Sequence, residues 1–168
     1  MWRFKLLAFA VIMTGPALGA EPTFFSGTEQ WRVFQHNVGD VLTHVRVNAA
    51  LDAVTAKRDF PTALSLRVAF KISTIRPAPS KTEQAEFEEI EDEISNRLGS
   101  GNTGHFAAVV TGGSVREFLI YVTTQNQGVE FSKALAADIK HHDINYQTTH
   151  DPDWSAWQDL ISSQAKSR

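Results

Sequence analysis

The chain has 168 residues, of which 42% are hydrophobic and 21% charged, with a formal net charge of −3 and no cysteine. That length suits one domain with a real core, and the mildly acidic balance gives no reason to expect nucleic acid or an anionic membrane surface as partner. Without cysteine the chain has no thiol nucleophile, no thiolate metal ligand, no disulfide and no residue to carry a lipoprotein anchor.

Residues 1–20 have the three-part layout of a secretory signal peptide. Arg3 and Lys5 make a basic start, residues 6–13 an apolar run, and residues 14–20 a breaker followed by small residues. The apolar run is shorter than the roughly 20 residues that span a bilayer. The expectation is cleavage after Gly19 or Ala20 and export to the periplasm of a Gram-negative bacterium, with no stable membrane anchor. The leader holds two basic residues and no acidic one, so the mature chain is more negative still. Residues 21–30 read as a flexible lead-in, 31–163 as a single α+β domain and 164–168 as a disordered tail.

Residues 31–36 and 41–49 read as strands around the turn Asn37-Val38-Gly39-Asp40. In the second, Val41, Thr43, Val45 and Val47 alternate with His44, Arg46 and Asn48. A polar loop over 52–59 ends at Phe60-Pro61. Residues 64–72 give the clearest strand, with Leu64, Leu66, Val68, Phe70 and Ile72 on one face. After Pro77 and Pro79, Ser80-Lys81-Thr82-Glu83 matches a capping box. It opens a helix whose Phe87, Ile90, Ile94 and Leu98 form one stripe before Gly99. Beyond the glycine-rich connector 99–104, residues 105–111 and 115–123 are strands around a tight Gly112-Gly113 turn. A helix over 128–140 and a strand over 144–149 follow. Asp151-Pro152 is expected to cap and begin a closing helix with Trp154, Trp157 and Ile161 on one side.

From Leu64 onward the order is strand, helix, strand, strand, helix, strand. That is the ferredoxin-like split βαβ pattern, an antiparallel sheet with two helices on one face. The N-terminal hairpin is expected to extend the sheet, and the Trp-bearing helix to seal an edge or end.

Several short motifs in this order resemble the bacterial domain-of-unknown-function 695 family. They are Trp31, Val45-Arg46-Val47-Asn48, Phe60-Pro61, Ile90-Glu91-Asp92, Arg116-Glu117 with Tyr121, and Asp151-Pro152-Asp153-Trp154. The resemblance covers nearly the whole mature chain and implies a ferredoxin-like α+β domain with no established activity. A more distant likeness to the regulator B inhibitors of ribonuclease E concerns architecture alone. Those proteins are cytoplasmic, so the leader argues against the same role.

Arg46, Arg67, Arg116, Glu117 and Tyr121 sit on strands and are candidates for a polar surface that recognises a carboxylate or phosphate. The competing reading is cross-strand ion pairing. Glu91 and Asp92 flank the apolar stripe of an otherwise solvated acidic helix, where one of them can pair with a strand arginine. His141, His142, Asp143 and His150 supply nitrogen and oxygen donors for zinc, without the spacing of a known ligand motif. Asp151, Pro152, Asp153 and Trp154 read as an architectural motif. No catalytic pattern and no cofactor are implied. A non-enzymatic binding or interaction domain is the leading expectation, with an unknown protein or small-molecule partner or self-association through the open sheet face. A small hydrolase or metal-dependent enzyme built on the His/Asp-rich C-terminal region is the alternative.

Overall fold

The computed structural model describes residues 30–38, 41–71, 78–99 and 103–166. The expected leader, nearly all of the lead-in, Ile72, Pro77 and the centre of the glycine connector lie outside the described residues. The elements are β1 (Trp31–Val38), β2 (Val41–Asn48), β3 (Thr62–Ala69), α1 (Lys81–Gly99), β4 (Gly104–Gly112), β5 (Val115–Val122), α2 (Gln125–Asp138), β6 (Ile144–His150) and α3 (Ser155–Lys166). Two 3-10 turns, Ala49–Ala53 and Lys57–Asp59, occupy the polar stretch between β2 and β3.

The six strands form one sheet in the order β1-β2-β4-β5-β3-β6, with every neighbouring pair antiparallel. Side chains alternate across it, and both faces of its centre are buried. On one face, Leu64, Leu66 and Val68 of β3 meet Phe106 and Val109 of β4 and Phe118, Ile120 and Val122 of β5. Phe87, Ile90, Ile94 and Leu98 of α1 and Leu135 of α2 cover them. On the other face, Val45 and Val47 of β2, Ala108 of β4, and Leu119 and Tyr121 of β5 pack under Trp154 and Trp157, with Leu51 from the first 3-10 turn. The closing helix therefore covers the second sheet face rather than sealing an edge. The expectation that this face stands open is overturned at its centre, because two indoles bury too much apolar area to be left in water.

Three local differences have clear causes. The β4–β5 turn falls at Gly113-Ser114, with φ of 60° and 64°, and Gly112 pairs with Val115 inside the ladder. Both central residues take the left-handed conformation a two-residue turn requires. Helix α2 begins at Gln125 because Thr124 caps it: the Thr124 hydroxyl accepts the Gln127 amide at 3.1 Å, while the Gln127 side chain accepts the Thr123 amide at 2.9 Å. Gly128 then lies within the helix, where a Cβ would meet Thr148 at 3.0 Å, so it serves close helix–sheet packing. Finally, α3 starts at Ser155, and residues 151–154 form a turn in which the Trp154 amide bonds the Asp151 carbonyl at 3.1 Å. Pro152 is in that turn, not the first turn of the helix.

Candidate functional site

The residues from the family-like motifs gather in two places, one on each sheet face. On the helical face, Arg46 of β2, Arg116 of β5 and Glu91 of α1 converge. The alternation of β2 aims Arg46 opposite to Val45 and Val47, and the apolar stripe of α1 turns Glu91 inward beside Ile90. Glu91 is 3% exposed. One of its oxygens pairs with an Arg46 terminal nitrogen, and the other lies 3.4 Å from Arg116 Nη1. Arg116 Nε donates to Thr111 Oγ1 at 2.9 Å. Each guanidinium also sits over an aromatic ring, Arg46 at 5.3 Å from the Trp31 centroid and Arg116 at 4.7 Å from that of Phe87.

Two cations thus share one carboxylate. Burial lowers the Arg116 pKa, the Glu91 charge pulls it back up, the Arg46 charge lowers it further and Glu88 raises it. The guanidinium keeps its proton regardless, so the cluster holds positive charge against an electrostatic cost. The Arg46 side chain remains 25% exposed while that of Arg116 is 8% exposed, which makes Arg46 the side of the cluster open to solvent.

The other strand candidates lie elsewhere. Arg67 and Glu117 stand opposite each other on the second face, with Nε to Oε2 at 3.7 Å, and Ser65 Oγ donates to Glu117 at 2.6 Å. This is a cross-strand polar pair between β3 and β5, separate from Arg46 and Arg116. Asp92 is exposed and lines an acidic groove with Glu88, Glu89, Glu93 and Asp138.

Tyr121 belongs to the second constellation. Its hydroxyl donates to Asp151 Oδ2 at 2.7 Å, and Asp151 also accepts the Ser155 amide at 2.8 Å, the Ser155 hydroxyl at 2.6 Å and the Ala156 amide at 3.1 Å. Asp151 therefore caps α3 from four residues before its start, not through the amides of Asp153 or Trp154. Burial pushes the Asp151 carboxyl up, but those donors outweigh it and hold the carboxyl below its ordinary range. Burial and the Asp151 charge raise the Tyr121 phenol, which stays neutral and is no base. Trp154, held at φ 56°, stacks on Tyr121 at 4.1 Å and donates from Nε1 to the carbonyls of Lys57 and Phe60. The Asp151 amide closes the set on the Pro61 carbonyl. This constellation locks α3 and Phe60-Pro61 onto the sheet.

The proposed zinc donors do not come together. His142 turns to Glu86, Nε2 to Oε2 at 2.9 Å, and stacks on Phe87, while His141, Asp143 and His150 are exposed. Among the described residues no three histidines or carboxylates lie close enough to hold a metal ion together. The sequence reading also missed partners that only folding supplies. Trp31 and Thr111 reach the arginines through strand pairing, and Lys57 lies over the Trp157 ring at 4.7 Å.

No curated protein matches the chain in comparison. A family model described as a family of unknown function, DUF695, matches residues 29–162. Its span takes in every motif residue of both constellations, and the chain belongs to the DUF695 family.

Proposed function

We propose that the protein is an exported, non-catalytic binding domain that takes an anionic group, a carboxylate or a phosphate, at Arg46 and Arg116. The observation that carries this reading is the convergence of two guanidinium groups on buried Glu91, with the Arg46 side chain still 25% exposed at the surface. Burial and the nearby Arg46 charge oppose the Arg116 positive charge, and a carboxylate or phosphate arriving at the exposed Arg46 edge would meet charge-assisted donors there. The exposed residues Val33, Gln35, Leu42 and His44 lie on the same face of the neighbouring β1–β2 hairpin, offering a partner mixed apolar and polar contacts beside the charge.

The strand order β4-β5-β3-β6, with α1 and α2 on one face, supports a ferredoxin-like split βαβ unit extended by β1 and β2. Export to a Gram-negative periplasm rests on the basic, apolar and small-residue sequence of residues 1–20. N-terminal sequencing of the exported protein is expected to begin at Ala20 or Glu21, and an intact Met1 in the soluble cytoplasmic fraction would contradict it.

Calorimetric titration with inorganic phosphate and with acetate tests the binding site. Wild type is expected to bind at least one of them saturably, and Arg46→Gln, with an unchanged circular dichroism spectrum, to bind about tenfold more weakly. Equal affinity in the two proteins would refute the site.

A further inference from the structure

A second site lies away from the arginines, where the last turn of α1, the Ala49–Ala53 turn and the start of β4 meet. A half-open cavity of about 450 Å³ occupies this junction, within the size range of small-molecule pockets. Leu51, Val54, Leu98 and Phe106 supply apolar wall, and Ser95 and His105 supply polar groups. Leu51 belongs to the core under α3, whereas Leu98 and Phe106 belong to the core under α1. The cavity therefore interrupts packing where both cores end at the same edge of the molecule.

His105 gives the cavity its chemistry. Its ring rests edge-on to Phe60 at 4.5 Å and against Trp154 at 5.5 Å, which fixes it without using its nitrogens. No described residue hydrogen-bonds either of them. Burial lowers its pKa, so at neutral pH the ring is uncharged, with one nitrogen a donor and the other an acceptor. Asn48, also on the cavity wall, is already committed, its amide donating to the Phe106 carbonyl at 3.2 Å and accepting the Ala50 amide at 3.1 Å. The wall thus combines apolar surface with an uncommitted neutral imidazole, and among the described residues it carries no ionic group.

We infer that this cavity binds a small neutral molecule with a ring-sized apolar body and one hydroxyl, the hydroxyl meeting His105. An anion finds no counter-charge among the described lining residues, and a purely apolar ligand leaves the imidazole unanswered. The site is independent of the arginine cluster and stands whether or not that cluster binds anions.

Phenol and toluene are the probes, followed by NMR on the wild-type protein. Phenol is expected to shift the His105 ring and the Leu51, Val54 and Leu98 methyl resonances saturably, and to bind about fivefold to tenfold more tightly than toluene, the value of one net hydrogen bond. Ser95→Leu, which fills the cavity from a helical position that favours leucine, is expected to abolish both sets of shifts while keeping the wild-type spectrum elsewhere. Shifts that do not saturate, that centre on other residues, or that survive in Ser95→Leu would overturn the site. Equal affinity for phenol and toluene would overturn the role given to His105.

Discussion

Glu91 is the residue on which the helical face depends most. A buried carboxylate is tolerable only while both arginines answer it, and the arginines in turn need it to offset each other. Glu91→Gln keeps the shape and removes the charge, leaving two cations close together beneath α1. It is expected to destabilise the protein by about 3–5 kcal/mol in denaturant unfolding, far more than an exposed glutamate such as Glu89, for which about 0.5 kcal/mol or less is expected. Asp151 plays the corresponding part on the other face. Its carboxyl lies below the ordinary value of 3.8 in the folded protein, so the folded state binds fewer protons than the unfolded one. The stability this contributes is complete above about pH 4 and is lost as pH falls through the folded value. Asp151→Asn is therefore expected to lower the denaturation midpoint at pH 7, with the gap to wild type narrowing at pH 3. A gap that stays constant would show that the carboxylate charge plays no part in the cap.

The elements that could be read in advance are those whose signals are local. Alternation over β2 and β3 and the apolar stripe of α1 each state which side faces inward. The capping box at α1 is made as its spacing requires, the Ser80 amide donating to Glu83 at 2.8 Å and the Glu83 amide to Ser80 Oγ at 3.2 Å. β3 itself spans residues 62–69, yet Phe70 just beyond it continues inward, 7% exposed, edge-on to Phe87 at 5.7 Å. Phe70→Ala is expected to cost about 3–5 kcal/mol, and the exposed neighbour Lys71→Ala about 0.5 kcal/mol or less. Equal shifts in their denaturation midpoints would mean the register is wrong. What was not legible depended on distant chain. Gly128 marks a helix interior only because Thr148 and Val122 press against it, and α3 could not be assigned to a sheet face before the strand order was known. Trp154 takes a left-handed backbone that no propensity favours, held by its stack on Tyr121 and its bonds to the Lys57 and Phe60 carbonyls.

At the scale of the whole molecule, the sheet keeps two different polar centres apart. The alternation of β5 sends Arg116 to one face and Glu117 and Tyr121 to the other, so adjacent motif residues serve separate constellations. Composition and spacing placed these residues on strands, but the pairing that joins Arg46 to Arg116 across β4 is a property of the sheet order. Tyr121, Asp151 and Trp154 bind the chain to itself. Arg46 and Arg116 converge on Glu91 instead, and Arg46 reaches solvent. The most direct test of that difference is the arginine Nε–Hε NMR spectrum during a phosphate titration at constant ionic strength. The Arg46 and Arg116 signals are expected to move together and saturate, while Arg67 on the opposite face stays in place. Uniform drift of all three, or no movement at Arg46, would contradict an anion site on the helical face.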